Sequence, residues 1–246
     1  MITLLMSLVL TVDPAARGLE IARAADAADA NWKAEVAVAQ MTVETTTGTE
    51  FRTFRMTTLE VEPERSLVEL LEPARQRGTK VLTLSKSEGA DEVFIHFPRH
   101  GRTRRIIGRK RTGRFMGSEL TFEDLGSRKH HRYTHRFLKT ETFADVPCHV
   151  VETVPHDTDS GYSRIVLWRQ VSDYRLHKVE WYDKAGNVLV KTGVFSQWKP
   201  IDRLVRPMKY RVTNARTKKA TTLTFLSRKL GQNIEPSQLS PAGLSR

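Results

Sequence analysis

Hydrophobic and polar positions alternate with period two along most of the chain after Trp32, the spacing of a strand with one buried face. The alternation runs through residues 36–38, 51–56, 66–71, 80–84, 92–97, 164–169, 177–182, 188–195, 208–212 and 221–225. Turn-forming pairs separate these runs: Thr47-Gly48, Glu88-Gly89, His100-Gly101, Ala185-Gly186-Asn187 and Thr213-Asn214. About ten short strands at roughly ten-residue spacing, mostly joined by hairpins, predict one antiparallel sheet, sandwich or barrel. The stretch before Trp32 has another texture. Asp13 followed by Pro14 is a helix entry signal, and the Ala-rich run that follows predicts a helix to about Asp29 with an apolar stripe at Leu19, Ile21, Ala22 and Ala25. Residues 155–161 read as a polar loop and the Pro/Ser-rich tail after Gly231 as extended. With no internal repeat and no long linker, residues 13–246 are expected to form a single domain.

The first twelve residues, MITLLMSLVLTV, are apolar and too short to span a bilayer. They resemble the apolar core of a secretory signal without its positive start or small-residue cleavage site. A truncated signal peptide is therefore the favoured reading, and an ordinary first element the alternative.

Charge changes the picture at one place. Between Arg99 and Arg114 there are eight Lys or Arg and no Asp or Glu, and the sign reverses at Glu119, Glu123 and Asp124. Arg102, Arg104, Arg105, Arg109, Lys110 and Arg111 form a candidate docking patch, on a hairpin turning at Gly101 and a loop between Gly108 and Gly113. The net charge of +12 points the same way, towards anionic membrane surfaces, acidic proteins or nucleic acid. No recognition helix or ribonucleoprotein motif accompanies the block, which makes nucleic acid the weaker choice.

Candidate chemistry is sparse. The chain has no phosphate-binding glycine loop, no G-x-S-x-G and no H-E-x-x-H. His130, His131 and His135 could be joined on paper with Glu123 and Asp124, but Arg128, Lys129, Arg132 and Arg136 surround them and would repel a cation. The single Cys148 cannot form an intramolecular disulfide and lies within an alternating strand pattern. Neither catalytic residues, nor a metal, nor a cofactor is expected. The strands are, however, rich in large apolar side chains with one long helix to cover them. Val36, Val38, Phe54, Leu70, Leu82, Phe94, Phe97, Phe115, Met116, Phe122, Trp168, Trp181, Phe195 and Trp198 are candidates to line an apolar cavity under a strongly curved sheet. A packed sandwich core is the other reading of the same residues.

The segment RFMGSELTFEDL, residues 114–125, resembles the signature of an outer-membrane lipoprotein-sorting family with the LolA-like fold, approximately F-M-G-S-D-F-[ST]-[YF]-x-D-[LM]. Phe115, Met116, Gly117, Ser118, Thr121, Phe122, Asp124 and Leu125 match, while Glu119 and Leu120 stand where Asp and Phe are usual. Further similarities occur in the family's order. They are the strand and basic turn VFIHFPRHGRTRRI at 93–106, the Glu72-Pro73 to Thr83 segment, Trp181-Tyr182-Asp183, and Arg206-Pro207-Met208. The resemblance implies an incomplete antiparallel β-barrel closed on its open side by an N-terminal helix and short helical segments. It implies a periplasmic, monomeric, non-enzymatic carrier of a lipoprotein acyl chain or another lipid. Peripheral membrane contact, an inner-membrane exporter and an outer-membrane acceptor are the partners it suggests. In this reading Gly117, Ser118, Glu119 and Asp124 shape a gating loop. The remaining alternative is a basic β-domain that binds nucleic acid or another polyanion.

Overall fold

A computed structural model describes residues 13–45, 47–61 and 64–245, so the N-terminal apolar segment lies outside the described residues. Helix α1 spans Pro14–Ala28, and the Asp13 carboxylate accepts the Ala15 amide at 3.1 Å, as its cap position predicts. Thirteen strands follow. They are β1 (Ala34–Glu44), β2 (Thr49–Leu59), β3 (Arg65–Glu72), β4 (Lys80–Leu84), β5 (Glu92–Phe97), β6 (Arg102–Ile106), β7 (Tyr133–Phe143), β8 (Val146–Pro155), β9 (Tyr162–Gln170), β10 (Leu176–Asp183), β11 (Leu189–Ile201), β12 (Leu204–Asn214) and β13 (Ala220–Leu230). All pair antiparallel in one sheet of order β6-β5-β4-β3-β2-β1-β13-β12-β11-β10-β9-β8-β7. It is two meanders joined where β1 pairs with β13, and it does not close, because β6 and β7 are opposite edges.

Ten of these strands coincide with the alternating runs, β6 is the second arm of the hairpin expected to turn at Gly101, and β8 is the strand pattern around Cys148; β7 has no such signal. The β7–β8 hairpin turns at Ala144 and Asp145, both at positive φ (48° and 63°), a conformation for which glycine or asparagine is the usual marker. Strand β6 is RTRRI at the sheet edge, where charge replaces apolar alternation.

One face of the sheet supplies a single core. Phe54 and Leu70 from β2 and β3 share a cluster with Val93 and Ile95 from β5, Ile165 and Leu167 from β9, and Trp181 from β10. Laid flat, thirteen strands at about 4.8 Å spacing would put the sheet's edges about 58 Å apart. Side chains from such distant strands therefore meet only because the sheet curls. Gly193 permits one of the tightest approaches, since a Cβ there would stand 2.8 Å from the Tyr210 ring and 3.0 Å from that of Trp181. Helix α1 seals the β7 side of this inner face with Gly18, Ile21, Ala22 and Ala25. A Cβ at Gly18 would lie 2.7 Å from the Phe137 backbone nitrogen, so glycine sets how closely helix and strand meet.

The outer face carries two smaller cores. On β3–β5, Leu82 and the partly buried Leu67 and Phe94 are covered by the C-terminal tail through Ile234, Leu239 and Leu244. Arg65 donates to the Pro236 carbonyl at 2.8 Å and helps hold the tail there. On β8–β9, Cys148, Val150, Val166 and Trp168 pack together.

Candidate functional site: the segment that fills the sheet

Because β6 and β7 are consecutive in sequence but opposite in the sheet, residues 107–132 must bridge the open side from one edge to the other. They do so in short 3₁₀ turns at Gly108–Thr112, Phe115–Gly117, Glu123–Leu125 and His130–Arg132. Phe115 and Leu120 are buried in the inner core, with Met116, Phe122 and Leu125 packed against it. The Phe115 ring lies 5.6 Å from Phe54 and 5.9 Å from Phe122, centroid to centroid.

Local hydrogen bonds shape the segment. Met116 and Gly117 both take positive φ (49° and 72°), which turns the chain back so that the Phe115 amide donates to the Leu120 carbonyl at 2.7 Å. The Ser118 hydroxyl donates to the Phe115 carbonyl at 2.6 Å and accepts the Leu120 amide at 3.1 Å. Ser118 thus ties the turn at Phe115–Gly117, and Thr121 and Asp124 hold the short turn that carries Phe122. The Thr121 amide donates to Asp124 at 2.7 Å, and the Asp124 amide donates to the Thr121 hydroxyl at 3.3 Å.

Asp124 also forms a buried ion pair with Lys191 of β11. The Tyr162 hydroxyl donates to its other oxygen at 3.0 Å. Burial alone would raise the Asp124 carboxyl, but the Lys191 ammonium beside it prevails and holds it below the usual aspartate value. Burial and the Asp124 charge together push the Tyr162 phenol far up, so it stays a proton donor. Lys191 donates as well to the Glu119 carbonyl at 3.2 Å and lies 4.9 Å from the Trp181 ring centre. Glu119 accepts from Asn214 at 2.8 Å and pairs with Arg114 at 3.2 Å. The Glu119 amide donates to the Thr221 hydroxyl at 2.9 Å, so that Glu119 and Asp124 together fix the segment to β9 and β11–β13 by polar contacts.

With the segment in place, the cavity enclosed by Ile21, Ala22, Tyr133 and Leu167 is about 10 Å³, at most one water's worth, and a more polar opening of about 300 Å³ lies beside it at Ala25, Asp29, Arg128 and Arg169. A further polar cavity of about 290 Å³ lies at the end of the sheet where residues 87–91, 111–133 and 155–157 converge.

The residues singled out from sequence divide in two. Phe54, Leu70, Phe97, Phe115, Met116, Phe122, Trp181 and Phe195 stand in or against the inner core. Val36 and Val38 have the opposite parity from the inward Ala37 and Ala39, and Leu82 and Phe94 lie under the C-terminal tail. Trp168 is on the outer face beneath Lys178, and Trp198 lies tilted at 40° against His177, ring centres 4.9 Å apart. A strand buried on both faces does not reveal which apolar set turns inward. In the basic block, Arg102, Arg104, Arg105, Arg109 and Lys110 are exposed, whereas Arg111 is buried and ion-paired with Asp157. Among the described residues no three His, Cys, Asp or Glu side chains converge to hold a metal ion. His130 is hydrogen-bonded to Asp26 of α1 at 2.7 Å, and Asp124 is taken by Lys191. Sequence reading missed Lys191, Tyr162 and Asn214. Lys191 carried the clearest signal, a lone charge at an inward position of an apolar strand.

A curled, open antiparallel sheet flanked by a helix and filled by the connection between its two edge strands defines an incomplete β-barrel of the LolA-like class. A domain assigned to outer membrane lipoprotein sorting from Vibrio parahaemolyticus shares the fold at TM-score 0.91 and 33% identity, over 94% of this chain and 100% of that one. A DUF1329 family protein from Desulfovibrio piger shares it at TM-score 0.89 and 24% identity, over 95% and 100% of the two chains. A LolA superfamily protein from Nitrosomonas europaea does so at TM-score 0.75 and 18% identity, over 92% and 98%. A family model described as "Uncharacterized protein" matches residues 62–246. No curated protein matches the sequence. The chain belongs to the outer membrane lipoprotein-sorting family and has the LolA-like fold. Among the described residues no helix is long and apolar enough to cross a membrane.

Proposed function

We propose that residues 13–246 act as one periplasmic, monomeric carrier domain. It takes a lipoprotein acyl chain, or another lipid, onto the inner face of its sheet and passes it between membranes. The observation that carries this reading is the nature of the interior filling. The side chains that cover Phe54 come from a connection held by turns and a few polar contacts, with no strand pairing to the sheet. A segment of that kind can withdraw without breaking the sheet. An acyl chain entering in its place exchanges one set of apolar contacts for another, at about 0.8 kcal/mol per buried methylene on each side of the balance. Loading is then near-balanced and reversible, as transfer between membranes requires. The exposed arginines of β6, with Arg109 and Lys110, flank Ile107, which is 58% exposed. Basic groups around an exposed aliphatic side chain suit docking on anionic headgroups. An inner-membrane exporter as donor and an outer-membrane acceptor are the partner classes this role calls for.

The test is saturable binding of a fluorescent long-chain fatty acid by the full chain, with native mass spectrometry of protein isolated from its own envelope. Phe122→Ala should change probe affinity several-fold, since the ring touches the filled interior, and Trp168→Ala on the outer face should leave it unchanged. Absence of both saturable binding and a co-purifying lipid overturns the reading.

A further inference from the structure

Strand β11 turns one ionisable side chain, Lys191, into the apolar interior, where it is 5% exposed. Its ammonium lies 4.9 Å from the ring centre of Trp181, its neighbour on β10, and 5.2 Å from that of Tyr162 on β9. A cation buried in such surroundings is costly unless a counter-charge reaches it. Asp124 is its one ion-pair partner among the described residues, and Asp124 belongs to the connection between the edge strands, not to the sheet. Both carboxylate oxygens are received. One accepts from Lys191 and from the Thr121 amide at 2.7 Å, and the other accepts the Tyr162 hydroxyl at 3.0 Å. Arg128, 5.6 Å from the Trp181 ring centre, acts on the same carboxylate. Two cations thus bear on one anion.

Which element owns each group decides what withdrawal of the segment would leave behind. Asp124 and Thr121 would go with Phe115, Leu120 and Phe122, whereas Lys191 and Tyr162 stay with β11 and β9. The vacated apolar space would then be floored by the same ammonium and phenol that had held a carboxylate. Burial keeps the Tyr162 phenol protonated, so it remains a donor. A neutral lipid entering this space would strand Lys191 without a counter-charge, and a lipid ending in a carboxylate would restore it.

We infer that Lys191 and Tyr162 form a carboxylate site for a fatty acid, which Asp124 occupies as an internal substitute until cargo enters; the inference rests on the carrier reading. The carboxylate of the fatty acid takes over the Asp124 contacts, and its tail takes the place of Phe115, Leu120 and Phe122. One ion pair is exchanged for another of the same kind, which keeps loading and release near-balanced. The cargo is selected by its ionised end.

The experiment displaces a neutral apolar dye from the full chain with laurate and with 1-dodecanol. Wild type should bind laurate about tenfold more tightly than the alcohol, the worth of roughly one charge-assisted hydrogen bond. Lys191→Met, which keeps the side chain's length and removes its charge, should bring the two within about twofold. Tyr162→Phe loses only the hydroxyl, should cut the preference about threefold, and serves if the first variant does not fold. Asp124→Asn removes the competing carboxylate, so it should bind laurate about tenfold more tightly than wild type does. Laurate should also raise the melting temperature of that variant more than that of wild type, a gain that a purely structural ion pair does not predict. Equal binding of the two lipids by wild type, or a laurate preference untouched in the folded variants, overturns the carboxylate site and leaves the carrier reading standing. Saturable binding of neither lipid overturns both.

Discussion

Asp124 shows how one side chain can be read correctly in part. A carboxylate in this loop is expected to hydrogen-bond to loop backbone or to pair with a nearby Arg; it accepts the Thr121 amide at 2.7 Å, but its cation is Lys191, 67 residues away in the chain. Replacing Asp124 by Asn leaves Lys191 buried without its counter-charge, which costs about 3–5 kcal/mol. The pH dependence follows from the sign of its shift. The folded-state pKa is lowered, so the stabilisation is complete above the ordinary aspartate value and is lost as pH falls through the depressed value. Urea unfolding of wild type and Asp124→Asn should show the full gap at neutral pH, closing only in strong acid. A gap that closed near pH 6 would assign the effect to another group. His135 and His177 act in a different window, because burial lowers both, so the unfolded chain takes up protons near pH 6.5 that the folded one refuses. Stability should therefore decline below that point in wild type and Asp124→Asn alike.

Among the elements, α1 was the most legible, since its cap, its Pro14 and its stripe are all local features. What the stripe touches was not legible. The residue that decides it is Gly18, a poor helix former whose missing side chain lets α1 lie against β7. Gly18→Val would improve local propensity yet force helix and strand apart, and should destabilise the protein by about 1–3 kcal/mol. Chemical denaturation measures the loss, and a stabilised variant would show that the helix is free to shift. The strands divide along the same line. Those with clear alternation were readable, as were the β6 arm after Gly101 and the β8 pattern around Cys148, whereas β7 and its turn to β8 at Ala144 and Asp145 carry no local marker.

At the scale of the whole molecule, the open sheet leaves a basic edge and an apolar interior on one object. Reversing Arg102, Arg104, Arg105, Arg109 and Lys110 to Glu should weaken binding to anionic vesicles at least tenfold while leaving fatty-acid binding intact. The vesicle affinity of the wild type should itself fade as salt rises beyond physiological strength, where the Debye length is about 8 Å. Cosedimentation at two salt concentrations, with duplex DNA in parallel, reads both effects. Tight DNA binding with a steep salt slope would favour the polyanion alternative instead.

The sequence by itself determined the antiparallel β class, the capped N-terminal helix, the segregated basic block and the family-signature loop, because each is written in short-range periodicity, turn chemistry or contiguous residues. Only the tertiary structure decided which face of each strand turns inward, since Leu82, Phe94 and Trp168 are apolar enough for either side and are claimed by the C-terminal tail and a second outer core. It alone decided that residues 107–132 fill the barrel, which follows from β6 and β7 being opposite edges of the sheet. It also brought Lys191 and Tyr162 to Asp124, because such pairings depend on strand order and register, which no local pattern encodes.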